Sequence, residues 1–319
     1  MKLKQLLDSS GEKITYRIIE TTLRDSNYRV FTKVRLGDLL QAEVDELSYE
    51  EGRFLLMSHF DFVVCEGKKD SFTPLFAIEF DGPQHKFDEA QRKRDILKNR
   101  LCLIVLLPLL RITYAELNKF ENVTILQYVL KLFLDWRVML RTGTWQERFD
   151  VESGYIFMDP FPAIFQVSRR LSKKFNIITQ FTGKDEALRI LQASPYVLHC
   201  CTIGKEMQPD GPQRGWYHKT KMQVFKKTLA LEKIRELYEE LSNPGDNVVY
   251  EATGEAEMKW LYPTQENEDQ PPFHYIDGGI PGVDIPEVVR NLAEYRCLVN
   301  IEKNAPFILN RVIETKPNQ

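Results

Sequence analysis

Cysteine is scarce in this chain, with five residues among 319: Cys65, Cys102, Cys200, Cys201 and Cys297. None is spaced C-x-x-C, which excludes a zinc ribbon or a dithiol redox centre, and the adjacent Cys200 and Cys201 are poorly placed for a disulfide. So few thiols, odd in number, point to a reducing compartment, and a cytoplasmic location is expected. Long apolar runs are missing as well. The greasiest stretch, LCLIVLLPLL at 101–110, is about half of the roughly 20 residues that a bilayer-spanning helix needs, and Pro108 interrupts it. No membrane partner is expected. The opening MKLKQLLDSSGEK is basic but has no sustained apolar core, so it does not read as a signal peptide. There is no glycine-rich phosphate loop, no dinucleotide fingerprint and no internal repeat. Excess charge is lacking too: 43 Lys and Arg against 46 Asp and Glu leave −3. Any contact with nucleic acid must therefore come from local clustering of basic residues.

What is present suggests two domains, because 319 residues exceed what one hydrophobic core usually serves. The apolar pattern breaks around RTGTWQERFDVESG (141–154), which divides the chain into 1–145 and 146–319. In the first part, Ile14, Ile18, Ile19 and Leu23 mark one face of a helix over 11–25. Strands are predicted at 28–36, 59–65, 75–81 and 108–112, and helices at 88–100 and 125–140. Asp88, with Gln91 three positions on, starts the first of those helices. This order predicts an α/β sandwich around a central mixed sheet. The second part reads as an α+β domain of no recognised fold, with helices at 183–193 and 220–242 and strands at 247–253 and 295–302. Its GPQRGWYHKTK (211–221) interleaves Trp216, Tyr217 and His218 with basic residues, a composition suited to stacking on bases and more often structural.

The chemistry gathers around LFAIEFDGPQH, residues 75–85. A strand has period two, so Leu75, Ala77, Glu79 and Asp81 share a face. Two neighbouring carboxylates repel each other and lose hydration, and a divalent cation is one compensation. Strands 59–65 and 75–81 read as a hairpin, which would bring Asp61 up to Glu79 and Asp81. Mg²⁺ or Mn²⁺ on these three carboxylates could activate water against a phosphodiester, with His85 or Lys98 orienting or deprotonating that water. Each residue also has a plain reading. A strand-end aspartate is often a turn or cap residue, E-x-D is often solvated, and His59 reads as a strand residue. Asp95 and Lys98, at i and i+3, would make a surface ion pair worth about 0.3 kcal/mol.

Five segments, RVFTKVRLGDLL, HFDFVVC, FAIEFDGPQH, RKRDILKN and LPLLRI, follow one another over residues 10–140. In that order they resemble the restriction-endonuclease-like superfamily, whose signature is D-(x)n-(D/E)-x-K. More closely, they resemble an uncharacterised domain family within it that is related to very-short-patch-repair endonucleases. The resemblance implies a restriction-endonuclease-like α/β sandwich and a Mg²⁺- or Mn²⁺-dependent endonuclease acting on nucleic acid, DNA rather than RNA. Asp61 matches the first metal-binding aspartate and Glu79 the acidic member of the second motif. Position 81, usually lysine, is aspartate. The E-x-D-G-x-x-H form of the closer relatives implies a role for His85, and Lys98 could supply the ammonium from the helix. Glu12 matches an outer ligand. Arg92, Arg94 and Arg111 would contact phosphates, and a homodimer would provide the two sites that cutting both strands requires. The missing lysine supports a rival from another class: a nuclease-like module that binds without cutting. In a third reading, the second domain gates the nuclease in a defence system.

Overall fold

The computed structural model describes residues 7, 9–40, 47–68, 71–83, 88–105, 107–144, 149–150, 155–156, 160–193, 196–210, 215–228, 248–261, 283 and 285–314. It divides into two compact units. One comprises Met1–Met158, Asp210–Gly215 and Met258–Ile285; the other comprises Asp159–Pro209, Trp216–Glu257 and Pro286–Gln319. Two short segments from the second half of the chain thus belong to the first unit.

The first unit opens with α1 (Ser10–Leu23), whose first turn is capped by Ser9 accepting from the Glu12 amide. Strand β1 (Tyr28–Arg35) and helices α2 (Leu36–Leu39) and α3 (Tyr49–Met57) follow. Strand β2 (His59–Lys68) and strand β3 (Ser71–Phe80) form the predicted hairpin, with both strands longer than the sequence pattern suggested. Next come α4 (Glu89–Ile104), β4 (Leu109–Ile112) and α5 (Tyr114–Leu117). The pair β5 (Lys119–Phe120) and β6 (Val123–Thr124) leads into α6 (Ile125–Thr142), and the pair β7 (Phe149–Asp150) and β8 (Tyr155–Ile156) follows it. Asp88 caps α4 as expected, its carboxylate accepting from the Ala90 and Gln91 amides. Thr124 caps α6, and Gly143 ends it with a φ of 74°, the left-handed conformation that glycine adopts without steric cost.

The sheet of this unit is mixed. β2 lies antiparallel to both β1 and β3, and β4 runs parallel to β3. Residues Trp260 and Leu261 pair antiparallel with Leu110 and Leu109 on the far side of β4. Both sheet faces are apolar because the strands are covered on both sides. Tyr28 and Phe76 pack edge-to-face on Phe133 of α6, with ring centroids 5.0 and 5.3 Å apart. Val63, Ala77 and Leu109 pack with Leu101 and Cys102 of α4, and Phe54 and Leu55 of α3 lie against this second cluster. The alternation along β3 thus sends Phe76 toward α6 and Ala77 toward α4, and Glu79 follows Ala77 to the α4 side.

The second unit holds α7 (Pro162–Phe175), β9 (Ile177–Thr179), α8 (Lys184–Ala193) and most of β10 (Tyr196–Asp210), β11 (Gly215–Thr228), β12 (Val248–Leu261) and α9 (Ile285–Glu314), whose residues Asp210, Gly215, 258–261 and Ile285 fall in the first unit. Its strands are ordered β12-β11-β10-β9, and β10 runs parallel to β9. Two expectations are corrected here. Residues 220–228, read as the start of a helix, are strand, because Thr220, Met222 and Val224 are buried at the alternate spacing of a sheet. Residues 295–302, read as a strand, lie inside α9. Val288, Leu292, Tyr295, Ile301, Ala305, Ile308 and Val312 are buried at helical spacing over 30 residues, a period that an eight-residue window hides. Among the described residues, no helix is long and apolar enough to cross a membrane.

Candidate active site at the end of the mixed sheet

The β2–β3 ladder stops at the pair Phe62–Ile78. Beyond it, two side chains take over hydrogen bonds that the strands would otherwise exchange. The Phe80 amide donates to Asp61 Oδ2 at 3.0 Å, and the Asp61 amide donates to Glu79 Oε1 at 3.2 Å. Asp61 and Glu79 thus meet across the strands, as the hairpin reading expected, each carboxylate fixed by the other strand's backbone.

Each carboxylate also carries a lysine. Lys98 of α4 donates to Glu79 Oε2 at 2.7 Å and to the His59 carbonyl at 3.0 Å, with its ammonium 5.5 Å from the centre of the Phe60 ring. Both partners are buried, Lys98 at 8% and Glu79 at 6% exposure. Burial pushes the Glu79 carboxyl up from its ordinary pKa, while the Lys98 charge opposes that rise. The surface ion pair read for Asp95 and Lys98 is therefore replaced by a buried pair between Lys98 and Glu79.

Lys33 of β1 is the residue that pattern reading missed. Its ammonium lies 2.6 Å from Asp61 Oδ1 and 3.1 Å from Glu12 Oε1. Burial works to lower its pKa, but Asp61 and Glu12 together outweigh that and hold it above the usual lysine value. Thr32 and Val34 pair normally with Phe62 and Phe60, but Lys33 between them has a φ of 54°. A left-handed conformation costs a non-glycine residue on the order of 1 kcal/mol, and such strain clusters at functional sites. Glu12 reaches Lys33 because the first turn of α1 lies directly on Phe80. A Cβ added to Gly11 would fall 2.1 Å from that ring.

Asp81 parts company with Glu79. Its Oδ1 accepts from Arg111 Nη1 at 2.9 Å, and Arg111 also meets Asp95 at 3.3 Å and Asn99 Oδ1 at 3.0 Å. Gln91 donates to Asp95 at 3.1 Å. Arg111, read from sequence as a phosphate contact, is itself buried at 7% exposure. Burial disfavours its charge, but Asp81, Glu79 and Asp95 more than restore it and raise its pKa. The guanidinium thus locks α4 to the ends of β3 and β4. Arg92 and Arg94 are exposed on α4. His85 lies outside the described residues. His59 adds a group that sequence reading set aside: burial first, then the Lys33 and Lys98 charges, push its imidazole pKa down. The candidate loop of the second unit contributes a buried His218, at the start of a strand rather than in a loop.

Residues 4–127 match the model of a family described as a protein of unknown function, DUF2726. The matched span contains Glu12, Lys33, Asp61, Glu79, Asp81, Lys98 and Arg111, so the whole cluster falls inside the region shared with DUF2726. That similarity brings a domain without an assigned chemistry. No curated protein and no solved structure matches the chain.

The donor set suits a hard divalent cation. Asp61 and Glu79 offer carboxylate oxygens, and Mg²⁺ typically takes one or two carboxylates and completes its shell with water and phosphate oxygens. Among the described residues, no three His, Cys, Asp or Glu side chains are grouped so as to hold a metal. The two carboxylates are therefore what the described part of the site can offer such an ion.

Proposed function

We propose that the first unit is a metal-dependent nuclease, an endonuclease acting on DNA rather than RNA. The observation that carries this reading is the opening of the β2–β3 ladder, where Asp61 and Glu79 face each other and each pairs with a lysine. Asp61 and Glu79 would hold Mg²⁺ or Mn²⁺, which would polarise a phosphodiester and lower the pKa of a bound water. The chain's own residues do the rest. Lys98 keeps Glu79 in place and balances its charge. The Arg111 network with Asp81, Asp95 and Asn99 fixes α4 beside the strand ends. Arg92 and Arg94, exposed on that helix, would contact a polyanion and make its binding salt-dependent. In this reading Asp81 acts through Arg111 rather than at the cation, and His85 remains a candidate for orienting the water.

One observation favours a rival. Position 81 is an aspartate committed to Arg111, so the motif's usual lysine is absent there, which suits a module that binds nucleic acid without cutting it. Incubating the protein and its Glu79→Gln variant with plasmid, linear duplex, single-stranded DNA and RNA in Mg²⁺, Mn²⁺ or EDTA separates the two. Cleavage that requires metal and disappears in the variant supports the nuclease and identifies its substrate. Nucleic-acid binding without turnover in any metal overturns it in favour of the rival.

A further inference from the structure

We propose that Lys33 is a built-in competitor for the cation at this site: its ammonium neutralises Asp61 and Glu12, and a divalent ion binds only by displacing it. This inference rests on the proposed role of Asp61 and Glu79 and deepens it.

The accessible edge of the cluster is where Lys33 sits. The side chains of Lys33, Glu12 and Asp61 are 20%, 14% and 13% exposed, whereas those of Lys98 and Glu79 are 10% and 7% exposed. An ion arriving from solvent therefore meets the Lys33–Asp61 contact before it reaches Glu79. At 2.6 Å from Asp61 Oδ1, the ammonium is in direct contact with that oxygen. Asp61 Oδ2 already accepts from the Phe80 amide, which leaves Oδ1, where Lys33 sits, as the oxygen not held by backbone. The two cations therefore contend for one atom.

The backbone points the same way. An ordinary strand residue at position 33 would need no left-handed turn, yet Lys33 adopts a φ of 54° between two normally paired neighbours. Glu12 gives the displaced ammonium somewhere to remain. It already accepts from Lys33 at 3.1 Å, so Lys33 can release Asp61 without losing every partner. The exchange changes no bond and moves no electrons. It substitutes a divalent charge for a monovalent one beside Asp61, with Lys33 retained on Glu12 or turned to an arriving phosphate.

The test is Mn²⁺ titration calorimetry at fixed ionic strength on the full chain and on the Lys33→Gly, Lys33→Arg and Asp61→Asn variants. Glycine suits the left-handed backbone at this position, so Lys33→Gly removes the ammonium without adding strain. With the competing charge gone and Glu12 released, Lys33→Gly is expected to bind Mn²⁺ about tenfold more tightly or better. Lys33→Arg keeps a cation on Asp61 and is expected to bind no more tightly than the wild type. Asp61→Asn is expected to lose binding. If Lys33→Gly folds, as judged by its circular dichroism and thermal midpoint, but binds Mn²⁺ no better than the wild type, the competition is overturned. In that case Asp61-dependent binding in the wild type leaves the cation site itself standing. If neither the wild type nor Lys33→Gly binds Mn²⁺, the cation site and the competition fall together.

Discussion

Replacing Lys98 with methionine tests whether the buried pair at the sheet end is held as the geometry indicates. Methionine keeps most of the volume but deletes the charge, leaving Glu79 buried beside Asp61 without the ammonium 2.7 Å away. Breaking one partner out of a buried pair costs about 3–5 kcal/mol. Here protonation sets a ceiling on that cost. Burial already pushes the Glu79 carboxyl above its ordinary value of 4.5, and loss of Lys98 pushes it further, so the folded variant can keep Glu79 neutral. Taking up that proton at pH 7 costs about 2.5 pH units at 1.36 kcal/mol each, or about 3.4 kcal/mol. At pH 5 the same step costs about 0.7 kcal/mol. The lost hydrogen bond to the His59 carbonyl adds about 1 kcal/mol at either pH. A folded-state pKa above the unfolded one means the folded variant binds more protons, so its stability falls as pH rises above about 4.5. Lys98→Met is therefore expected to lose about 4 kcal/mol at pH 7 and about 2 kcal/mol at pH 5. The double variant Lys98→Met/Glu79→Gln is expected to recover most of the pH 7 loss. Urea denaturation with hydrogen exchange read on β2 and β3 peptides follows the first unit alone. A loss under about 1 kcal/mol at pH 7, an equal loss at both pH values, or a double variant no better than the single one would refute the reasoning.

The first unit was legible because its elements are long enough to show their periods. The helix over residues 11–25, the strands around 28–36, 59–65 and 75–81, and the helix from Asp88 all form near their predicted places. Their apolar spacing is imposed by a sheet covered on both faces. The meeting of Asp61 with Glu79 was legible for the same reason, since a hairpin register follows from two alternating strands and a polar loop. The parting of Glu79 and Asp81 was not. Period two places both on one face, and there Lys98 of α4 takes Glu79 while Arg111 of the neighbouring parallel strand takes Asp81. That partnership spans 30 residues of sequence and leaves no local trace. Lys33 was hidden by its ordinary surroundings, because a lysine in FTKVR reads as a solvent-facing strand residue. Only the backbone torsion and the approach of α1 through Gly11 reveal where it points. In the second unit, the helix over 285–314 was missed because its apolar residues are separated by polar ones that, in a short window, also fit a strand.

Two further perturbations test packing and protonation away from the site. Gly254→Ala in β12 would place a Cβ 2.1 Å from the Ala293 carbonyl and 2.7 Å from the Cys297 amide of α9, both backbone atoms with little freedom to move. A loss of about 2 kcal/mol or more is expected in thermal denaturation, and a change within about 0.5 kcal/mol would show that β12 does not approach α9 as described. At the start of α3, Glu51 accepts from the Ser48 amide at 2.8 Å and the Ser48 hydroxyl at 2.6 Å, closing a capping box. Those bonds hold its carboxyl below the ordinary carboxylate value of 4.5. A folded pKa below the unfolded one means the unfolded chain binds the proton first. The stabilisation is therefore complete above about pH 4.5 and is lost as the pH falls through the depressed value. Glu51→Gln keeps an acceptor at N3 but cannot titrate. The urea midpoint of the wild type should accordingly exceed that of Glu51→Gln at pH 6, with the gap closing as the pH falls below about 4.5. A gap that does not narrow as the pH falls below about 4.5 would mean that the carboxylate charge plays no part in starting α3.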